Sequence, residues 1–136
     1  MKDLRRFMKG AAIVGAAAML STQAAAIDLN GAWATDAGQC KDVFEKKGNK
    51  ITFAKLSDLH GSGFVIEGDK IRGKSARCTI KSRKEEAGTL HLLAACATDI
   101  MLQTVQFSLK ILDDNSISRI FPGMPGMEIN YYRCTL

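Results

Sequence analysis

The chain has 136 residues, 46% of them hydrophobic, which suits one domain with one modest core. Its formal net charge is +5, but four of the nineteen basic residues and only one of the fourteen acidic residues lie within the first 26. The rest of the chain carries fifteen basic and thirteen acidic side chains, a net charge of +2. So small a charge excludes the strongly basic class of nucleic-acid-binding proteins.

Residues 1–26 have the pattern of a secretory signal peptide. Their apolar core, residues 11–20 (AAIVGAAAML), is too short to span a bilayer comfortably and follows four basic residues, Lys2, Arg5, Arg6 and Lys9. Ala24-Ala25-Ala26 offers small side chains to signal peptidase, so the mature chain is expected to begin at Ile27 or Asp28. A permanent N-terminal anchor is the alternative. After cleavage we expect no stable membrane insertion.

The same segment predicts the compartment. Arg5-Arg6 is followed by Phe7, one place earlier than in a twin-arginine signal, so the general secretory route is preferred. We therefore expect a periplasmic or secreted protein. Exported chains form disulfides, and an even number of cysteines predicts two, among Cys40, Cys78, Cys96 and Cys134. Zinc is the alternative use of these cysteines, but the chain has no C-x-x-C pair and its two histidines are far apart.

The predicted elements begin with a strand over residues 31–35. A short helix follows; it ends at Gly48, and one face carries Cys40, Val43 and Phe44. Period-two alternation and turn residues then predict seven more strands, over residues 51–54, 63–67, 70–83, 89–97, 102–112, 116–121 and 127–134. The fold class is all-β: a small eight-stranded antiparallel up-and-down barrel, because closure removes exposed strand edges. A two-sheet β-sandwich is the alternative.

Strand pairing assigns the two disulfides. A hairpin centred near Ala87 places Cys78 opposite Cys96 and His91 opposite Arg83. Facing strands accommodate a disulfide at a non-hydrogen-bonded pair. By elimination Cys40 joins Cys134, which ties the helix to the final strand of a single domain spanning residues 27–136.

The stretch Leu29-x-Gly31-x-Trp33 resembles the opening strand of lipocalins and of the wider group of eight-stranded ligand-binding barrels. The resemblance implies a lipocalin-like architecture in which Trp33 packs at the closed end of the barrel. It also implies that Arg133, near the chain end, covers this ring by a cation–π contact. A lone core tryptophan after a turn glycine is the alternative. As a whole the chain resembles small, uncharacterised exported bacterial proteins.

A stripe of basic residues follows the predicted strand 70–83: Lys70, Arg72, Lys74, Arg77, Lys81 and Arg83. Its alternation slips between Gly73 and Ala76, which predicts a β-bulge there. The stripe indicates either an anionic partner, such as a lipid headgroup or another envelope component, or a solvated strand face. Nucleic acid would require interleaved aromatic residues, and the stripe has none.

Catalytic patterns are weak, so we expect no enzyme and no cofactor. Ser62 lacks the spacing of a nucleophile elbow, and His60 and His91 fall in a predicted loop and strand. The acidic pairs Glu85-Glu86 and Asp113-Asp114 occupy turns, where turn geometry and solubility explain them.

Both prolines of the chain lie in residues 121–127 (FPGMPGM). Two thioethers suit Cu(I), but nothing in the sequence brings a third donor such as His60 close, so we predict no metal site. The stretch is predicted to connect the last two strands. Its apolar side chains either plug the barrel end or form a ligand rim: Phe121, Met124 and Met127.

Two hypotheses of function follow. The first is a periplasmic binding barrel for a small apolar or amphipathic ligand, with a cavity lined by Phe53, Val65, Val105, Phe107 and Leu109. The second is an envelope interaction protein, similar in size and compartment to the small periplasmic lysozyme inhibitors. It would act through its outer surface, at Ser62-Gly63-Phe64 or the basic stripe. The oligomeric state is left open by the sequence.

Overall fold

The computed structural model describes residues 27–136, and the predicted signal segment lies outside this range. The ten strands within it are β1 (Gly31–Ala34), β2 (Phe44–Lys47), β3 (Lys50–Phe53), β4 (Gly63–Glu67), β5 (Lys70–Arg72), β6 (Arg77–Glu86), β7 (Thr89–Ala97), β8 (Leu102–Asp113), β9 (Ser116–Ile120) and β10 (Glu128–Cys134). All but β2 and β3 form a closed antiparallel barrel in chain order, with β10 pairing with β1. The predicted barrel is confirmed, and the sandwich alternative is wrong.

The connection between β1 and β4 contains the 3₁₀ turn Ala37–Gln39, the helix α1 (Cys40–Val43), the β2–β3 hairpin and a second 3₁₀ turn, Ser57–Leu59. The predicted short helix after the first strand is confirmed, but it ends at Val43 and not at Gly48. Phe44 already has extended backbone angles. Gly48 lies in the β2–β3 turn at φ 62°, in the left-handed region that favours glycine.

Eight strands were predicted and eight strands of residues 27–136 form the barrel, but two of the predicted strands do not correspond to single barrel strands. The predicted strand 51–54 forms β3, which pairs with β2 outside the barrel. The predicted strand 70–83 is divided into β5 and β6 by a tight loop, in which the Gly73 N–H donates to the Ala76 carbonyl at 2.8 Å. The alternation therefore slips at a loop, and the β-bulge predicted at this place is wrong.

A β-bulge lies further along, between Ile80 and Ser82 of β6. It shifts the pairing of β6 with β7 by one residue. His91 consequently faces Lys84, and the prediction that it faces Arg83 is wrong by one position. The turn that follows is the two-residue turn 87–88, where both residues have positive φ, as expected of a tight hairpin.

Both predicted disulfides are present, Cys40–Cys134 and Cys78–Cys96. The first closes a sequence separation of 94 residues and links α1 to β10, whereas the second joins facing residues of β6 and β7. No free cysteine remains in the described part of the chain, so the zinc alternative is wrong.

Apolar residues form two clusters, one on each side of the barrel wall. The inner cluster fills the half of the barrel around Trp33, Leu92 and Ile117, all fully buried. The outer cluster packs α1 and the β2–β3 hairpin onto the outer face of β1 and β4, where Phe44 covers Val65. The hairpin therefore thickens one wall and leaves the barrel interior to the other strands.

Gly63 in β4 provides a test of this outer packing. A Cβ atom there would lie 2.5 Å from the Trp33 carbonyl oxygen and 2.7 Å from the Phe44 ring. We expect Gly63→Ala to lower the free energy of unfolding by about 1–3 kcal/mol, measured by urea denaturation, because neither neighbour can move freely. Gly123→Ala is the control, since a Cβ atom at Gly123 meets no atom within 4 Å. Equal denaturation midpoints for the two variants would contradict this packing.

Candidate ligand-binding cavity

The two ends of the barrel differ in construction. At the closed end the Trp33 indole N–H donates to the Leu29 carbonyl at 2.9 Å, and the Arg133 guanidinium lies 4.4 Å from the centre of the Trp33 ring. Arg133 also donates to the backbone carbonyls of Asn30 at 2.6 Å and Asp114 at 2.9 Å. These contacts hold residues 27–30 across the barrel end. The predicted cation–π contact between Arg133 and Trp33 is thus observed.

The backbone conformation at this end explains why residue 31 is a glycine. Its φ is 126°, in the region that L side chains rarely adopt, and a Cβ atom there would lie 3.5 Å from the Arg133 guanidinium. The glycine therefore lets the chain turn from the segment over the barrel end into β1.

At the opposite, open end the barrel encloses a cavity of about 310 Å³. Its wall is mainly apolar and includes Phe64, Ile66, Ile71, Val105, Phe107 and Leu109. The disulfide Cys78–Cys96 forms part of the same wall. Polar groups are few: Ser62, Gln103, Arg119 and Tyr131. An apolar cavity with few polar groups is the usual form of a small-molecule site.

The sequence predicted only part of this wall. Val105, Phe107 and Leu109 of β8 line the cavity as expected. Val65 does not, because the inward side chains of β4 are those next to it in sequence, and Val65 is buried on the outer face. Phe53 lies in the hairpin outside the barrel and packs against Phe44, with ring centres 5.2 Å apart.

Arg119 and Tyr131 are cavity residues that sequence reasoning missed. The Arg119 guanidinium lies 4.6 Å from the centre of the Phe107 ring and 4.9 Å from that of Phe121. Tyr131 is 6% exposed and packs edge-on against Phe64, with ring centres 4.8 Å apart. Both are inward-facing residues of short strands in which polar and apolar side chains are mixed. The alternation of inward and outward positions along β9 and β10 was the sequence signal that could have identified them.

The stretch 121–127 connects β9 and β10 at the open end, as predicted. Met124 and Met127 are about half exposed, so they do not plug the barrel. None of Phe121, Met124 and Met127 lines the cavity directly. Phe121 is connected to the cavity only indirectly, because its ring contacts the guanidinium of Arg119, which lines the cavity.

Exposed apolar side chains concentrate at the open end. Besides the two methionines, the connections there carry Leu56, Leu59, Ile100, Met101 and Leu102, the first residue of β8. Ile100 is 91% and Leu102 is 84% exposed. The turns of the closed end, residues 68–69, 87–88 and 114–115, contain no large apolar residue. At the closed end, Leu112 near the end of β8 is 49% exposed. Seven of the ten exposed large apolar side chains of the described residues lie at the open end, so the surroundings of the cavity opening are the more apolar end of the molecule.

The predicted basic stripe is not continuous. Arg72 donates to Glu67 at 2.9 Å and to the Ile51 carbonyl at 2.7 Å, so it holds the hairpin against the barrel. Lys74 is ion-paired with Asp58 at 2.5 Å. The three other members on the outside of this wall are Lys70, Arg77 and Lys81.

The bulge in β6 separates Arg83 from the other stripe residues. Arg83 pairs with Leu92, whose side chain is buried inside the barrel, and it lines a cleft with residues 27–30 at the closed end. The prediction that Arg83 points outward with the rest is wrong, because one extra residue in a strand reverses the faces that follow it.

A serine, a histidine and a glutamate meet on the outer wall. His91 Nδ1 is hydrogen-bonded to Ser108 Oγ at 2.9 Å, and its Nε2 lies 3.7 Å from Glu86. Ser108 is only 1% exposed, so its hydroxyl is not accessible to a substrate. A hydrogen bond from Lys84 lowers the pKa of Glu86, which favours the carboxylate. This arrangement joins β6, β7 and β8 and offers no accessible nucleophile.

No aspartate, glutamate or histidine of the described residues lines the cavity. The backbone N–H of Asn115 lowers the pKa of Asp113, with a further hydrogen bond from Ser116, so this turn carboxyl favours the ionised form.

Within residues 27–136 no group of three His, Cys, Asp or Glu side chains is arranged to hold a metal ion. No helix in the described range has the length and hydropathy needed to traverse a bilayer.

Comparison with protein-family models, with curated proteins and with solved structures finds no match to this chain. The function must therefore be argued from the cavity and its surroundings. The two disulfides indicate an oxidising, extracytoplasmic environment for the folded domain.

Proposed function

We propose that this protein is a non-enzymatic binding barrel, periplasmic or secreted, whose cavity takes a small apolar or amphipathic ligand. The observation that carries the proposal is the cavity of about 310 Å³ at the open end, with its apolar wall. Ligand sites in proteins typically enclose about 300–1,000 Å³, so the ligand is at the small end of that range.

The wall favours a ligand with an apolar part. Aromatic and aliphatic side chains of β4, β5 and β8 face the cavity, among them Phe64, Ile71 and Phe107. Each Å² of apolar surface removed from water contributes about 25 cal/mol. The exposed apolar residues around the opening extend this environment outward, so an apolar ligand meets compatible side chains before it enters.

The filled closed end supports entry from the open end. Trp33, Leu92 and Ile117 occupy the interior at the closed end, and residues 27–30 are held across that end by Arg133. We therefore expect a ligand to enter between the connections of the open end.

The second candidate, an interaction protein, is supported by the exposed apolar residues at the open end and not by the segments first suggested for it. Phe64 faces the cavity, and Gly63 is covered by the Phe44 ring, so Ser62-Gly63-Phe64 does not form an exposed finger. In the basic stripe, Arg72 and Lys74 are already ion-paired. A protein partner would instead contact Ile100 and Leu102.

A cavity-filling substitution tests the proposed function. Val105 lines the cavity, whereas its neighbour Thr104 is exposed on the outer wall. We expect Val105→Trp to weaken binding of the neutral fluorophore phenylnaphthylamine about tenfold or more, because the indole ring occupies cavity volume and the ligand then fits only with overpacked contacts, which cost about 1–3 kcal/mol. Thr104→Trp is the matched control and should bind like the wild type, measured by fluorescence titration. Absence of binding to the wild type, or equal binding by both variants, would refute the proposal.

A further inference from the structure

We infer that the cavity selects anionic amphiphiles, with Arg119 receiving the acidic group of the ligand and the apolar wall receiving its tail. This inference rests on the proposed function of the cavity and adds the chemical class of the ligand. The acidic group is a carboxylate or another oxyanion, which shares the geometry that a guanidinium recognises.

Arg119 has the right place for this task. It lies in β9, where it pairs with Leu109 of β8 and Ile129 of β10, and its side chain lines the cavity. The guanidinium carbon lies 4.6 Å from the centre of the Phe107 ring and 4.9 Å from the centre of the Phe121 ring. Aromatic rings attract the cation but offer it no oxygen acceptor. The guanidinium is thus positioned while its donors stay available.

The two inward-facing arginines of β9 and β10 differ in their partners. Arg133 donates four hydrogen bonds to backbone carbonyls at the closed end, those of Asp28, Asn30 and Asp114. Among residues 27–136 no ion pair and no hydrogen bond involves the Arg119 side chain. Every buried side-chain nitrogen or oxygen of the described residues has a hydrogen-bond partner, so the unpaired donors of the half-buried Arg119 are accessible to solvent and a ligand oxyanion can reach them. Arg133 therefore has a structural role, and Arg119 is suited to a ligand.

The proposed position of the ligand's acidic group adjoins the proposed position of its apolar tail. Phe107 contacts the Arg119 guanidinium on one side and forms part of the apolar wall on the other. A cavity of about 310 Å³ corresponds to roughly ten water molecules of liquid volume. An amphiphile with a short or medium-length tail matches this size, and its acidic group would lie against Arg119.

Three ligands with the same tail and different head groups test the inference: octanoate and octylammonium, each below its critical micelle concentration, and octanol, below its solubility limit. We expect octanoate to bind the wild-type protein about tenfold or more tightly than octanol, and octylammonium to bind most weakly, by calorimetric titration. If none of the three binds, the proposed function itself fails. If octanol binds as tightly as octanoate, the cavity stands and the assignment of Arg119 fails.

The variant Arg119→Met removes the charge and keeps a long side chain next to the Phe107 and Phe121 rings. We expect it to lose the preference for octanoate, about tenfold, while its affinity for octanol stays within about twofold. Arg77→Met is the matched control, because Arg77 is exposed on the outer wall and does not line this cavity. Should Arg119→Met fail to fold, Arg119→Lys must keep the order of the three head groups. An unchanged octanoate affinity in Arg119→Met, or an equal loss in Arg77→Met, overturns the inference.

Discussion

Replacing Cys40 and Cys134 together by serine is expected to lower the free energy of unfolding by about 4–5 kcal/mol. The disulfide spans 94 residues of sequence, so its removal restores much conformational freedom to the unfolded chain. It also releases α1 from β10, and with α1 the outer cluster around Phe44 loses its attachment. Urea denaturation of the oxidised proteins, followed by circular dichroism, measures the effect.

The paired substitution of Cys78 and Cys96 is the matched control for loop length. That disulfide spans only 18 residues within one hairpin, so the same chain-entropy model predicts a loss of about 3 kcal/mol. The order of the two losses is the diagnostic result. A larger loss at Cys78–Cys96 would show that its place in the cavity wall matters more than loop closure.

Replacing Trp33 by alanine is expected to cost about 3–5 kcal/mol of stability, the range for deleting a large buried aromatic side chain. Trp33 is 0% exposed, and its ring supports Arg133, which in turn holds residues 27–30. Because small domains have total stabilities of about 5–15 kcal/mol, this loss removes a large fraction of the free energy of unfolding. Trp33 is the sole tryptophan of the chain, so circular dichroism must replace tryptophan fluorescence as the probe.

Trp33→Phe is the control for this prediction. It keeps an aromatic ring under the Arg133 guanidinium but removes the N–H that donates to the Leu29 carbonyl at 2.9 Å. We expect a loss of about 1–2 kcal/mol, smaller than that of alanine. If alanine and phenylalanine cost the same, the indole hydrogen bond, and not ring packing, is what stabilises the closed end.

The strands and their closure could be predicted because they depend on local chemistry. Alternation in residues 102–112 and tight turn sequences such as Gly68-Asp69 are visible without knowledge of the rest of the fold. The pairing of Cys78 with Cys96 was predicted from a hairpin centred near Ala87, but the observed turn 87–88 alone would place Cys78 opposite Ala97, and the bulge after Ile80 restores the pair with Cys96. The bulge after Ile80 could not be predicted, because a single extra residue leaves almost no trace in the pattern of a polar strand, and Arg83 was therefore placed on the wrong face.

The candidate site was predicted only where one face of a strand is apolar. In β8 the inward residues Val105, Phe107 and Leu109 alternate with more polar neighbours, so their side was evident. In β4 both faces are apolar, since one faces the cavity and the other is covered by α1 and the hairpin. The alternation there is ambiguous, and Val65 was placed in the cavity by mistake.

Local properties of the chain thus specify the antiparallel strands and most of their turns, because each depends on neighbours close in sequence. Once Cys78 is paired with Cys96, elimination gives the partner of Cys40. The hairpin packed outside the barrel and the face presented by β4 depend on contacts between distant segments. Phe107 and Phe121 meet the same guanidinium because β8 and β9 pair as a hairpin and residue 121 directly follows β9. Alternation along one strand carries no information about the register between two strands or about packing across the barrel wall, since both are set by the tertiary structure.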